Sequence, residues 1–551
     1  MKLDRFLFTM IIITCFGCAY IAKQSPDYPS PKLQKDLVLA IREEVIRLDG
    51  EGLIPRSSRN ESFIKTTNQI ADEALKNKTK FDFYRTFSRL NATYSNIHTH
   101  VSFPDKLNRE ISIPGPNGVA ASDIMLAVEI LTPTKTKTVL QYIADKDELN
   151  KNWEGAELTA INGVALRKWQ EENFLFCKWA LRNTCDRMLE ENLLSGILSW
   201  KGGPLVYSFI KDKNKIDIPV TFKMPEGTTS LRYERRQCDW KSEKHFPGFK
   251  LIHKGYFACL FQKIDDPTTI ILRISSFQYR RGNRVDPKSP IQTMKQETEA
   301  LKTVWIPKSG SIKHLIVDLI DNGGGNEPID YYKILLREPF QEQFVKFKKF
   351  PEIEDQNLRH SMMNEDPAQE LWFQKYVKSG EWAKIKSGEF SKATPMFCAD
   401  PNKPCDEVLF HPDAHQFTGK VSILLNDSCV STCDAVVFTL KKYLKAKLYG
   451  VSQAADTAFS RLRIDAIKDN NSTSGFKLKI SPQRSELDKD LIVSQDVAVT
   501  LSVDEEGKIV SGEPLMLDQF VPMQWDQDYH QDTLAVALND FDKTAGKPTS
   551  Y

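Results

Sequence analysis

The chain has 551 residues, 75 of them basic and 73 acidic, for a formal net charge of +2. That balance excludes a strong electrostatic claim on nucleic acid or on an acidic partner. A hydrophobic fraction of 41% supplies large cores without supporting a polytopic membrane protein. The length predicts about two to four domains, and no repeat of fixed period runs through the sequence.

The chain opens with "MKLDRFLFTMIIITCFGC". Lys2 and Arg5 precede an apolar run from Phe6 to Ile13, followed by small residues and Cys18. This is the layout of a secretory signal over residues 1–24, and the run is too short to span a bilayer securely. Its "FGC" end resembles a bacterial lipoprotein cleavage site, which makes Cys18 the lipidation candidate. The expectation is an exported protein of the periplasm, cell envelope or extracellular space. Membrane contact is expected only through such an N-terminal lipid anchor.

"SPDYPSP" reads as a linker. Residues 33–118 form a helical region: "LQKDLVLAIREEVIRL" places apolar residues at i, i+3 and i+4, and "IADEAL" and "FYRTFSRL" continue the pattern. The region ends in "YSNIHTHVSF", which carries His98 and His100. Residues 119–235 change to short strands and turns. Their clearest piece is "GAELTAINGVAL", with an Asn162-Gly163 turn between apolar runs. This stretch resembles the PDZ-like β modules found within some proteases.

From residue 250 to 551, apolar strands ("GYFACLF", "TIILRISSF", "HLIVDLI", "KVSILL", "AKLYGV") alternate with helical runs ("TMKQETEALKTVWI", "TCDAVVFTLKKYL"). That alternation predicts an α/β layer on a mainly parallel sheet. A charged, aromatic insertion at about 340–412 reads as a lid or a side wall.

Besides Cys15 and Cys18 the chain has eight cysteines, in near-neighbour pairs: Cys177 with Cys185, Cys238 with Cys259, Cys398 with Cys405, and Cys429 with Cys433. Even counts in close pairs read as disulfides of an oxidising compartment. Zinc is the competing use, but these eight include no Cys-x-x-Cys and no histidine lies at ligand spacing. The i,i+4 spacing of Cys429 and Cys433 brings their Cα atoms near bonding range on a helix.

Around them lies the most reactive stretch, "NDSCVSTCD", at a strand-to-helix turn. One of its hydroxyls is either a helix N-cap or a serine nucleophile beside an oxyanion site. Upstream, "LIVDLIDNGGGN" ends a buried strand in three glycines. No Lys-Ser/Thr follows, so the nucleotide loop is absent, and a nest of amides for a developing oxyanion is the other reading. Near the C-terminus, "EEGKIVSGEPLMLDQFVP" supplies Glu513 and Asp518.

In this order the motifs resemble the tail-specific (C-terminal processing) serine peptidases. "VDLIDNGGGN" is similar to that family's strand-plus-glycine signature, with Ile320 where Arg is common. "SILLNDSCVSTCDAVVFTL" resembles its nucleophile turn and puts the attacking hydroxyl on Ser431. "DTLAVALNDF" resembles its closing helix. The family's Ser–Lys layout needs a lysine where this chain reads "GVSQAADTAFSR". The Ser–His–Glu branch, of the tricorn core and the chlamydial protease-like activity factor, is therefore the nearer one.

The resemblance implies a crotonase-like ββα catalytic core. It implies Ser431 as nucleophile, His98 as base with His100 as alternate, and Glu513 as acid with Asp518 as competitor. Gly324 and Thr432 would be the oxyanion donors, with Gly325 as neighbour. It implies an exported serine endopeptidase acting on polypeptides, with no metal or cofactor. The alternative is a catalytically inactive, protease-fold scaffold of the cell envelope, which the missing Gly-Val-x-Pro-Asp run and the absent arginine favour.

Overall fold

The computed structural model describes residues 28–50, 57–94, 96–104, 121–143, 146–173, 185–186, 205–220, 222–223, 237–279, 290–363, 366–453, 461–483, 485–510 and 514–545. The signal segment with Cys18, and also Cys177 and Glu513, lie outside these described residues.

Three helices come first: α1 (Pro31–Leu48), α2 (Ser57–Ala74) and α3 (Lys80–Tyr94). Ser30 caps α1 by accepting the Leu33 amide at 3.3 Å, and Pro31 occupies the first turn, where no amide donor is needed. α1 buries Leu37, Val38, Ile41, Val45 and Leu48, the inward stripe its periodicity predicts. The His-bearing segment follows α3 and enters β1 (Val101–Ser102).

A separate small β unit comes next. It holds β2 (Ala121–Ser122), β3 (Ile124–Thr132), β4 (Lys135–Ile143), α4 (Asp147–Trp153), β5 (Glu157–Ile161), β6 (Val164–Ala165), α5 (Leu166–Asn173), β7 (Leu205–Lys211), β8 (Asn214–Val220) and β9 (Phe222–Lys223). Asn162 and Gly163 turn the chain from β5 to β6 with φ of 50° and 76°. Positive φ at both positions is the hairpin geometry that an Asn-Gly pair favours. The unit has its own core around Leu140, Ala156 and Phe209. At its edge, Ile130 exchanges both main-chain hydrogen bonds with Met523, at 2.9 and 3.0 Å.

The remainder runs α6 (Ser242–His245), β10 (Phe249–Lys254), β11 (Ala258–Lys263), β12 (Thr269–Ile274), α7 (Met294–Ser309), β13 (His314–Asp318) and α8 (Ile329–Leu335). It continues β14 (Phe344–Phe347), α9 (Gln356–Met362), α10 (Pro367–Lys378), α11 (Glu381–Lys384), β15 (Thr394–Pro395), β16 (Lys420–Leu425) and α12 (Thr432–Leu444). It ends β17 (Lys447–Gly450), β18 (Arg461–Lys468), β19 (Phe476–Pro482), β20 (Leu491–Ala498), β21 (Thr500–Val503), β22 (Gln519–Phe520) and α13 (Tyr529–Ala545). Among the described residues no helix is long and apolar enough to cross a membrane.

Seven strands form the main sheet in the order β10-β11-β12-β13-β16-β17-β22. It is antiparallel from β10 to β12 and parallel from β12 onward. Asp318 pairs with Leu424 in register, so the carboxyl ends of β13 and β16 finish side by side. That edge of an open α/β sheet is where ligands bind, and both reactive motifs sit there.

A second core lies beside the first. The sheet β1-β20-β18-β19 packs against α1–α3. The segment at 340–412 joins the same core: Phe347, Phe350, Trp372, Phe373 and Trp382 are buried with Leu37, Val45 and Phe87. Its strands β14 and β15 form a three-stranded sheet with β21. The insertion is thus a wall of that core, fixed by aromatic burial on both sides.

Candidate active site

Ser431 stands where the chain leaves β16 and starts α12. Cys433, Val436, Val437, Leu440 and Leu444 give the helix its buried stripe against the sheet. An N-cap residue ordinarily takes β-region backbone. Ser431 instead has φ 62° and ψ −122°, a conformation that costs a non-glycine residue ~1–3 kcal/mol and persists only where the surroundings over-determine it.

Three restraints surround it. The Asp434 carboxylate accepts the Ser431 amide at 3.0 Å. Thr432 Oγ1 donates to the Gly325 carbonyl at 2.9 Å. Cys429 and Cys433 are disulfide-bonded, with Cα atoms 5.1 Å apart. Ser431 itself remains half-buried, while Thr432 is buried.

The glycine loop faces this turn. Asn322 Nδ2 donates to the Ile274 carbonyl at 2.8 Å, and Asn322 Oδ1 accepts the Gly324 amide at 2.9 Å. Gly324 has φ 77°, and a Cβ there would lie 3.0 Å from Ser431 Cβ and 3.1 Å from the Thr432 nitrogen. The loop then runs as a strand beside Phe277, whose amide donates to the Gly324 carbonyl at 3.1 Å; its carbonyl takes the Asn326 amide at 2.7 Å. In such a strand the main-chain groups of the residue between point the opposite way. Gly325 therefore turns its amide, like its carbonyl, toward Thr432. The Gly324 amide is engaged within the loop, and the amide facing the serine turn is that of Gly325.

Two polar links tie loop and turn together, and neither stood out in the sequence. Asn426 Oδ1 accepts the Asp321 amide at 3.1 Å while Asn426 Nδ2 donates to Asp321 Oδ1 at 2.8 Å. Below them Asp318, fully buried, lies 3.0 Å from His530 Nδ1 and 3.8 Å from Arg273 Nε. Burial works against its ionised form, but the His530 and Arg273 charges and the Ile320 amide outweigh it and hold the carboxyl below its usual range. A polar residue at the end of an otherwise apolar strand is the signal that could have found Asp318 and Asn426.

His98 is half-buried and His100 exposed. The segment is fixed through its backbone. Asn96 Oδ1 accepts the His98 amide at 2.9 Å, and the Arg461 guanidinium donates to the His98 carbonyl. The Asp496 amide donates to the His100 carbonyl at 2.9 Å. Asn91 Oδ1 takes Thr99 Oγ1 at 2.9 Å and Gln495 Nε2 at 2.6 Å. Asp496 is the acid that the fold brings to this segment. Burial pushes its carboxyl up to about 6, against the pull of Arg461, Gln483 and Arg463.

Asp518 is engaged elsewhere. Its carboxylate accepts from Lys441 Nζ at 3.1 Å and from the Leu448 amide at 2.9 Å. Lys441 is at the far end of α12 from Ser431, ~15 Å along the helix axis at ~1.5 Å per residue. The other cysteines fall in the expected pairs, Cys238 with Cys259 and Cys398 with Cys405, and Cys185 is disulfide-bonded. Among the described residues no group of three or more His, Cys, Asp or Glu side chains is placed to hold a metal ion.

Residues 269–501 match the profile described as peptidase family S41. The chain is similar in fold to the solved structure of mature CPAF complexed with lactacystin, with a TM-score of 0.58 and 12% identity over 94% of this chain and 98% of that one. The structure of mature CPAF alone gives a TM-score of 0.57 and 13% identity over 94% and 97%. The photosystem II D1 C-terminal processing protease aligns over 91% of this chain and 97% of its own, at 10% identity and a TM-score of 0.37. No curated protein sequence matches.

Proposed function

From a chain whose residues 269–501 are a peptidase family S41 domain, we propose an exported serine endopeptidase in which Ser431 attacks the peptide carbonyl. The observation that carries this reading is the strained Ser431 turn, apposed to a glycine loop at the carboxyl edge of the sheet.

A serine hydroxyl is a poor nucleophile until a base takes its proton. His98 fills that role and returns the proton to the leaving amine. The tetrahedral oxyanion is held by the amides of Gly325 and Thr432, with the positive end of α12 behind them. Gly324 supports the loop through its bond to Asn322. Glu513 is the acid the motif order favours. Asp518 is the weaker choice, because Lys441 and the Leu448 amide already hold it.

The parallel strands β12, β13 and β16 with α12 are read as a crotonase-like ββα core, and residues 119–235 as a PDZ-like module. The substrates are polypeptides in extended form, which suit such strand edges. Export rests on the signal-like N-terminus and the paired cysteines.

A fluorophosphonate probe tests the nucleophile. Wild type is expected to label, and Ser431→Ala to lose both labelling and peptide cleavage by at least ~10³-fold. Absence of labelling in wild type favours the inactive scaffold and overturns the reading. His98→Ala is expected to abolish cleavage with the fold intact. Undiminished activity transfers the base to His100 or rejects the layout.

A further inference from the structure

We propose that the Cys429–Cys433 bond positions Ser431, and that its cleavage by a dithiol reductant reversibly switches the peptidase off. The proposal rests on Ser431 as nucleophile. The two cysteines flank that serine symmetrically, two residues before and two after, and both side chains are fully buried. Both belong to the core that also holds Leu425, Val436 and Val437.

The other restraints on the strained residue act from its helical side. Asp434, inside α12, holds the Ser431 amide, and Thr432 reaches across to Gly325. The arm that arrives from β16 is anchored at Asn426, which pairs with Asp321 and takes the Ser428 amide on Oδ1 at 3.2 Å and the Cys429 amide on its carbonyl at 3.0 Å. The Cys433 amide reaches the Val430 carbonyl at 3.1 Å, a single bond adjacent to the strain. The covalent link therefore clamps the arriving arm to the helix. Once it is cut, the backbone of Ser431 relaxes toward an ordinary helix-start conformation and carries Oγ away from the Gly325 and Thr432 amides. A displacement of ~1 Å at a reacting group costs ~10²-fold in rate.

The exchange is balanced. A thiolate of the dithiol attacks one cysteine sulfur, and the S–S bond breaks to expel the other as a thiolate. The second thiol of the reagent then resolves the mixed disulfide, so the reagent leaves as a cyclic disulfide and both cysteines end as thiols. Two electrons pass from reagent to protein, and reoxidation reverses the step. Because both sulfurs are buried, exchange proceeds through local opening of the turn, so inactivation is slower than reduction of an exposed disulfide.

The test uses the full-length protein equilibrated in graded ratios of reduced and oxidised dithiothreitol. Peptide mapping of every cysteine accompanies kcat and KM on a fluorogenic peptide, the rate of fluorophosphonate labelling, and Tm. Expected is a ~10²-fold fall in kcat and in labelling rate, with KM little changed. The fall tracks reduction of Cys429 and Cys433 and recovers on reoxidation. Cys429→Ala/Cys433→Ala is expected to start at the reduced level and ignore the reagent. Cys238→Ala/Cys259→Ala keeps the wild-type response.

Free thiols at Cys429 and Cys433 in the oxidised protein overturn the proposal. So does a double variant with full activity, or loss of activity that follows another pair. If the double variant fails to fold, the wild-type titration decides by the cysteine it tracks. Failure of the nucleophile assignment is distinct, because oxidised wild type then does not label at any ratio.

Discussion

The turn at Ser431 takes its restraints from close at hand: Cys429, Cys433 and Asp434 in the same turn, and Gly325 and Asp321 on the neighbouring strand end. The segment at His98 takes its restraints from Arg461, Gln495 and Asp496, hundreds of residues later, with Asn91 and Asn96 beside it. The first arrangement is set by a short peptide and one parallel strand pair. The second requires the N-terminal helices, the wall at 340–412 and the sheet β1-β20-β18-β19 to share one core. Damage to the first should therefore be local and chemical. Damage to the second should spread through packing before it reaches the chemistry.

The sharpest way to break that contrast is Gly325→Ala. Gly325 has φ 148°, and a Cβ there would lie 2.5 Å from the Gln278 nitrogen. The amide facing Thr432 must then move, and kcat is expected to fall ~10²–10³-fold, as when one oxyanion donor is lost. Near-wild-type turnover in steady-state assays removes Gly325 from the mechanism.

Arg461→Met comes next. It frees the His98 carbonyl from its guanidinium partner and leaves the Ser431 turn untouched. The fluorophosphonate labelling rate is expected to fall ~10-fold, short of the ~10²-fold cost of a ~1 Å displacement, with Tm nearly unchanged. A large loss of Tm with unchanged labelling of the surviving folded fraction shows instead that Arg461 serves the fold alone.

The smallest effects concern stability and set two buried acids against each other. Asp318, under the glycine loop, has its carboxyl held down. Its contribution is present above the unfolded carboxylate range and is lost as pH falls through its lower folded value. Asp496, whose strand pairs with the His-bearing segment, is raised from 3.8 to about 6 by burial. Its contribution is complete below 3.8 and is lost as pH rises through about 6. Asp496→Asn should therefore gain on wild type by up to ~3 kcal/mol between about pH 4 and about pH 8, at ~1.4 kcal/mol per pKa unit. Asp318→Asn should lose ground in a more acid window, as pH rises from below the folded carboxyl value through the unfolded 3.8. Urea denaturation across each window checks both signs, and trends of the same sign for the two variants reject the assignment of opposite environments.

Much of the architecture was legible where periodicity or turn chemistry is local. The i, i+3, i+4 stripe of α1, the Asn162-Gly163 hairpin and the strand–helix alternation that yields the parallel sheet all follow from short windows. The wall at 340–412 was legible only as an aromatic insertion. What fixes it is burial of Phe347, Phe350, Trp372 and Trp382 against helices three hundred residues earlier, which no window contains.

At the site, the glycines and the serine turn announced themselves. The engagement of the Gly324 amide by Asn322 did not, because which of two adjacent amides faces a cleft depends on the strand partner, here Phe277. The Asp321–Asn426 link was hidden for a similar reason: each residue looks like an ordinary turn former until the two strand ends lie in register. The acid was hardest of all, since carboxylates are common in turns and only tertiary packing shows that Asp518 is held by Lys441 and the Leu448 amide.

The exchange between Ile130 and Met523 gives the small β unit an unusual purchase on the rest of the molecule. The stretch that contains Met523 has just left β22, which is zipped to β17 at Tyr449 and Gly450. One peptide ribbon is thus a shared hinge leaf, with the unit on one side and the large sheet on the other. To swing away, the unit must snap two main-chain bonds worth ~1 kcal/mol each, or else pull on a strand two places from the one that ends at the serine.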